Sequence, residues 1–483
     1  MNVLQRRIHA SWLLMLASAG CVMGVMTAQW SVQFIFISAV WAVLGVFVIV
    51  LSCVHTRRYM MVLVLVGGCL LGMWRGHDVQ QKMITYQRLV GRSITLQGKV
   101  GDDTETNRQG QTVLRLTEVQ MHETILPGKI WVTVAKVDTI KRSDYVTIQG
   151  KMSEGFASFG AAMYRAELLA IERRAGDDVA RDVRDSFSVG VQAGIHEPAV
   201  SLGLGFLTGQ RRGLPPELLT TLQTAGLTHV IVASGYNLTI LIRIARRIFD
   251  GVSRYLSVAV PGALILGFIL ITGMSPSMSR AGLVAGLSLL AWYYGRSFHP
   301  AVLLLLVAAS TLLIDPTYGW GDIGWLLSFA AFAGVMILAP LLQAYFYGEK
   351  KPTLLVQVLF ETTSAFIVTL PIIIVSFGVM SNVAILANLI VVPLIPFAML
   401  GVFLVGVVGV FAGWAAVIIG APVQRLLDAM IWLATFAANV SWAQTEVVMP
   451  IWGVGVYYVI LISTGLLIWR RTRSSLQSCN IIT

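Results

Sequence analysis

The chain has 483 residues, 56% of them hydrophobic and only 12% charged, and its mean hydropathy is +0.76. Soluble domains carry about a quarter of their residues as charges, so a soluble protein is excluded and the composition places this one in a membrane. The net charge of +11 is unevenly held: residues 76–185 contain 16 Lys/Arg and 15 Asp/Glu, a net of +1, and the remainder 19 and 9, a net of +10. The excess therefore belongs to the membrane part, as the cytoplasmic bias of Lys and Arg in membrane proteins would have it.

Three apolar runs open the chain, Trp12–Thr27, Phe34–Val54 and Met60–Met73. Each is long enough, or nearly so, to cross about 30 Å of hydrocarbon as a helix. The first resembles a signal peptide, but two more runs follow at once and a retained helix is predicted. Arg6 and Arg7 put the N-terminus inside and Arg57 and Arg58 the second loop, so residues 76–225 are predicted to be extracytoplasmic. Cys21, Cys53, Cys69 and Cys479 show neither metal nor redox spacing and read as small apolar fillers.

Residues 91–175 change period. Ser93–Val100, Thr112–Leu116, Ile130–Val134 and Tyr145–Gly150 alternate every second residue, separated by turn-formers such as Gly101-Asp102-Asp103 and Asn107-Arg108-Gln109-Gly110. Five or so short strands predict a small all-β, OB-like barrel. Such barrels often bind single strands through basic grooves and stacking aromatics. This domain is nearly neutral and its strands offer few aromatics beyond Trp131 and Tyr145, so weak DNA contact and a purely structural role both stand. Asp177–Asp185 alternates charges on a predicted helix, and Val189–Leu207 is apolar, either on the membrane surface or packed on the bundle.

A charged, proline-broken loop, Leu207 to Leu218, holds Arg211 and Arg212 and leads to an apolar helix carrying His229, Ser234, Gly235 and Asn237. Polar groups in an apolar span are costly and so suggest function. His229 is either a hydrogen-bonded packing residue or a gate, and Ser234-Gly235 either breaks the helix or lets another approach closely. Asn237 needs a protein or water partner. Arg243, Arg246, Arg247 and Arg254 mark an inside loop, Arg296 the next, Lys350 and Lys351 another, and Arg470, Arg471 and Arg473 the tail. Leu256–Gly273, Ala301–Ile314 and Val456–Trp469 are further apolar runs. Alternation is met if residues 378–412, split by Pro393 and Pro396, cross twice; two half-helices dipping from one side are the other option. Arg280 follows Ser275-Pro276-Ser277-Met278-Ser279, and either attracts phosphate or snorkels. Asp315-Pro316 ends a helix, and Asp322 is placed to cap the run containing Trp325 and Ser328. Glu361 lies well inside Leu354–Val375, where a lone carboxylate must pair, protonate or face water.

Seven blocks in order resemble the ComEC family of competence channels: Leu207-Thr208-Gly209 with Gly213-Leu214-Pro215-Pro216; Gly226-Leu227-Thr228-His229 through Ser234-Gly235; Pro276-Ser277 with Arg280-Ala281; Asp315-Pro316; Leu327-Ser328-Phe329-Ala330; Thr369-Leu370-Pro371; and Ala387-Asn388-Leu389 with Val392-Pro393-Leu394. The family usually has His where Asn237 stands and Gln where Leu326 stands. The resemblance implies a multi-pass cytoplasmic-membrane channel that imports single-stranded DNA in natural transformation. It also implies membrane lipid around the chain and, as separate partners, a DNA receptor, a nuclease and a cytoplasmic translocation ATPase. Many members carry a C-terminal metallo-β-lactamase-like domain, whereas this sequence has no His-x-His-x-Asp-His cluster. Neither a metal nor a cofactor is expected, and no enzymatic activity.

The expected architecture is a polytopic α-helical membrane protein of about 12 transmembrane helices with an extracytoplasmic OB-like domain. Its parts are N-terminal helices at 1–75, the OB-like domain at 76–185, a bridge at 186–225 and a channel domain at 226–483, with both termini cytoplasmic. A polyanion needs a wet, electropositive path, for which Arg243, Arg246, Arg247 and Arg254 are the inner candidates and Arg211, Arg212 and Arg280 the outer ones. The rival is a proton-coupled small-solute or lipid-linked transporter using Glu361 and His229; an ionised Glu361 would repel DNA.

Overall fold

A computed structural model describes residues 9–29, 39–54, 60–107, 109–122, 124–137, 139–174, 176–210, 213–228, 235–249, 251–273, 275–348, 350 and 352–472. Helices α1 (Ala10–Ala28), α2 (Ala39–Val54) and α3 (Met60–Gln87) come first. Seven strands follow: β1 (Ser93–Val100), β2 (Glu105–Thr106), β3 (Thr112–Met121), β4 (Thr124–Ile125), β5 (Ile130–Val134), β6 (Tyr145–Glu154) and β7 (Ala161–Glu172). Then come α4 (Val179–Gln192), α5 (Ala199–Thr208), α6 (Pro216–Thr224), α7 (Gly235–Phe249), α8 (Leu256–Thr272), α9 (Pro276–Tyr293) and α10 (Pro300–Ile314). The chain continues as α11 (Ile323–Ala333), α12 (Ala339–Tyr347), α13 (Leu354–Phe377), α14 (Ala384–Val391), α15 (Ile395–Phe411), α16 (Gly413–Ala438) and α17 (Ile451–Thr472). Among the described residues, seven helical runs are long and apolar enough to cross a membrane, and four shorter apolar helices accompany them. Two compact units result: residues 1–178 with 301–325, and residues 179–300 with 326–483.

In the first unit α1 and α3 meet through small residues. A Cβ on Gly20 or Gly24 would overlap the carbonyl oxygens of Leu65 and Cys69, and one on Gly68 or Gly72 those of Ala17 and Cys21. Residue numbers rise together along both helices, so they run parallel. Between apolar helices in lipid, such close backbone approach supplies the attraction that water would otherwise provide. The barrel is closed: β1 pairs antiparallel with both β3 and β6, β3 with β5, β6 with β7, and β5 runs parallel to β7. Alternation puts Leu96, Val100, Leu114, Leu116, Ile130, Val132, Ile148 and Met163 inside, all essentially inaccessible. Its buried charge is matched: the Arg142 guanidinium donates to both Asp178 oxygens, at 2.7 and 2.9 Å, and Arg173 to Asp144 at 2.7 Å.

In the second unit Val191, Ile195, Val200, Leu202 and Phe206 share a core with Val402, Val405, Ala416 and Leu427. The bridge segment thus packs on the bundle. A Cβ on Gly409 or Gly420 would overlap the carbonyls of Gly190 and Gly194. Pro371 inside α13 has no N–H for the Ile367 carbonyl one turn back. The Tyr457 hydroxyl donates to that carbonyl at 2.9 Å, and Tyr458 to that of Val368 at 2.9 Å. In lipid a freed carbonyl must find such a partner.

Residues 378–412 differ from both sequence expectations. They form one helical run, Ala384–Phe411, with a 3₁₀ turn at Val392–Leu394. Pro393 and Pro396 each sit in a first turn, where the missing N–H has no intrahelical partner to lose, so they bend the run without reversing it. The chain then turns back along this run as α16. A two-stranded ribbon pairs Val379–Ser381 with Gln444–Glu446, tying the far ends of these two helices together.

Candidate functional site

Helices α7, α8 and α9 enclose a core of Leu238, Ile242, Ile265, Phe268, Met278, Ala281, Ala285 and Leu289. The Ser275 hydroxyl caps α9 by accepting from the Met278 N–H at 3.3 Å, and Pro276 occupies the first turn. One turn in stands Arg280, half-buried. Its Nε donates to Ser328 Oγ at 2.6 Å, and the Ser328 hydroxyl donates on to Ser277 Oγ at 3.3 Å. Its guanidinium lies 5.1 Å from the Phe332 ring centre, one turn beyond Ser328 on α11. Among the described residues no carboxylate pairs with it. A partly desolvated cation held by a hydroxyl and a ring face is oriented but not neutralised. An anion is the partner that would complete it.

Gly235 presses on the same group. A Cβ there would sit 2.9 Å from both Ala281 Cβ and Arg280 Nη2. Close approach, one of the two sequence readings for this glycine, is present; the helix-break reading turns on Ser234, which lies outside the described residues. The neighbouring candidates His229 and Ser234, and the loop residues Arg211 and Arg212, lie outside the described residues.

The remaining candidates separate. Asn237 is fully buried, and its Nδ2 donates to the Phe206 carbonyl at 2.9 Å, tying α7 to α5. Asp322 caps α11: its Oδ1 accepts from the Trp325 N–H at 2.8 Å, and its Oδ2 from the Ser158 hydroxyl at 3.4 Å. Glu361 accepts from Gln357 Nε2 at 2.8 Å, one turn earlier, and feels the charge of Arg243. Arg243 and Arg247 are exposed near the end of α7, whereas Arg246 is buried with its guanidinium 4.3 Å from the Trp292 ring centre. Arg254 donates to the Tyr293 carbonyl. The structure therefore joins Gly235, Arg280 and Ser328 and adds Ser277 and Phe332, which sequence reasoning had not singled out as site groups. On the barrel, Trp131 makes edge contacts with Phe156 at 5.5 Å and Phe159 at 5.2 Å, and the Arg115 guanidinium lies 5.7 Å from its ring centre. Phe156 and Phe159 fall in the turn before β7, where strand alternation gives no signal.

A family model described as Competence protein matches residues 206–472, more than half of the 483-residue chain. No curated protein and no solved structure matches it significantly.

Proposed function

The chain belongs to the Competence protein family, of the ComEC type, which gives it a part in DNA uptake, and from that membership we propose that it passes single-stranded DNA across the cytoplasmic membrane. The observation that carries this reading is the Arg280 guanidinium, oriented by Ser328 and lacking a carboxylate among the described residues. A phosphodiester passing along α9 would supply the missing anion. Exposed Arg243 and Arg247 extend the positive surface along α7. Glu361, with Gln357 and Arg243 for partners, is a weaker basis for a proton-coupled transporter.

The barrel fits an OB-like assignment, since its five long strands close in the order β1-β3-β5-β7-β6 with one parallel pair. Trp131, Phe156 and Arg115 together would serve base stacking, and Phe156 is 42% exposed. DNA receptor, nuclease and translocation ATPase are separate proteins in this reading, and the chain itself hydrolyses nothing.

Uptake of labelled duplex DNA into the cytoplasm tests the proposal. Deleting the gene should abolish internal label while acid-soluble label still appears outside, released by the separate nuclease. Arg280→Gln removes a charge-assisted contact of about 1.5–3 kcal/mol and should lower uptake per inserted molecule about tenfold or more, with Arg280→Lys intermediate. Unchanged uptake in Arg280→Gln would remove this site from the DNA path. Orientation is tested separately. In a cysteine-free background, Gln109→Cys should react with an impermeant thiol reagent in intact, wall-permeabilised cells, and protection until lysis would overturn an extracytoplasmic barrel.

A further inference from the structure

In the first unit a cavity of about 310 Å³ opens between the end of α3, the loop before β5 and the end of α10. Its place is set by two apolar runs that stop together. Helix α3 is apolar from Met60 to Trp74 and then carries Arg75, Asp78 and Lys82; α10 is apolar to Ile314 and is followed by Asp315. Membrane helices change from apolar to charged where hydrocarbon gives way to headgroups. The Arg75 guanidinium locks the two ends to each other, Nε donating to the Leu313 carbonyl at 2.9 Å and Nη2 to that of Ile314 at 3.1 Å.

Three cations, Arg75, Lys82 and Lys129, line the cavity, and the carboxylates of Asp78, Asp315 and Asp102 act on them. Asp78 is shared by Arg75 at 3.1 Å and Lys82 at 2.9 Å, and Asp315 lies 3.4 Å from Lys129. Lys82 is the cation with donors left open. Burial alone would push the Lys129 ammonium down, but Tyr318, Asp315 and Asp102 together outweigh it and hold its pKa above the ordinary lysine value. Lys82 is 57% exposed, and Asp78 takes only one of its three N–H groups. Val79 and Met83, one turn apart on α3, and Ile314 give the cavity an apolar side, and Thr117, Ser158 and Thr317 add hydroxyls to its lining.

We propose that this cavity binds the phosphate of an anionic phospholipid, with its glycerol and upper acyl carbons against Val79, Met83 and Ile314. Cationic donors beside an apolar wall at headgroup level suit a ligand that is both anionic and greasy. The inference rests on α3 and α10 lying in the membrane and is independent of DNA passage.

The test uses the full chain in neutral detergent, followed by native mass spectrometry and thermal melting. Phosphatidylglycerol should remain bound and raise the melting temperature; phosphatidylcholine, inorganic phosphate and glycerol 3-phosphate should not. Lys82→Gln should weaken phosphatidylglycerol binding about tenfold, and Lys82→Arg should restore it. Val79→Asp, which places a carboxylate in the cavity wall, should abolish binding even if Lys82→Gln disturbs α3. Equal retention of both lipids, or parental binding in Lys82→Gln and Val79→Asp, would overturn the assignment. An equal response to free phosphate would reassign the site to a soluble anion, and displacement of the lipid by an oligonucleotide would reassign it to DNA.

Discussion

Gly235→Leu is expected to lower DNA uptake per inserted molecule by roughly one to two orders of magnitude while the protein still reaches the membrane. The first added atom would already stand 2.9 Å from Ala281 Cβ and Arg280 Nη2. The rest of the leucine has to displace the guanidinium, breaking its 2.6 Å bond to Ser328. Overpacking of this kind costs about 1–3 kcal/mol. If that cost falls on the conducting arrangement, it amounts to roughly a ten- to hundredfold loss of rate. Transformation frequency normalised to membrane-inserted protein is the measurement, because a purely structural glycine would lower abundance and leave uptake per molecule normal. That second outcome would take Arg280 and its neighbours out of the path.

Gly72→Val should act earlier, on assembly. Its new Cβ would overlap the Cys21 carbonyl oxygen, so one backbone meets another and no side-chain rotation can relieve the clash. The cost should reach or pass the upper end of the usual 1–3 kcal/mol, and the parallel α1–α3 pair should come apart. The readout is the yield of folded protein in detergent and its melting temperature. Gly267→Val is the control, since nothing lies within 4 Å of a Cβ there. Similar behaviour of the two variants would mean that the close approach does not hold the helices.

The barrel was largely legible because its signal is local. Strands β1 and β5 span the residues that alternation marks, Ser93–Val100 and Ile130–Val134, and β3 and β6 start where expected but run on to Met121 and Glu154. Strand β7 was missed because register shifts opposite β6 and runs of small residues such as Ala161-Ala162 break the period of two. In the membrane the composition signal marks apolar runs but not what joins them, and Pro393 and Pro396 mislead because a proline in a first turn and a proline at a reversal look alike in sequence. Capping by Asp322 was readable, since an Asp just before an apolar run has one obvious use. Arg280 and Ser328 were each conspicuous, yet 48 positions separate them and no periodicity pairs residues that far apart. The Gly20–Leu65 and Gly72–Cys21 contacts were hidden for the same reason.

The way the barrel closes has a consequence for the order in which it can be made. The last strand synthesised, β7, is inserted between β6 and β5, and the first, β1, has β6 as one of its two neighbours. Until Glu172 has emerged, β5 keeps one bare edge and β6 has only β1 beside it. A half-delivered domain is therefore an open ribbon with hydrogen-bonding groups exposed, the form of sheet most prone to stick to other chains. Closure therefore waits on β7, the last strand of the barrel to be made.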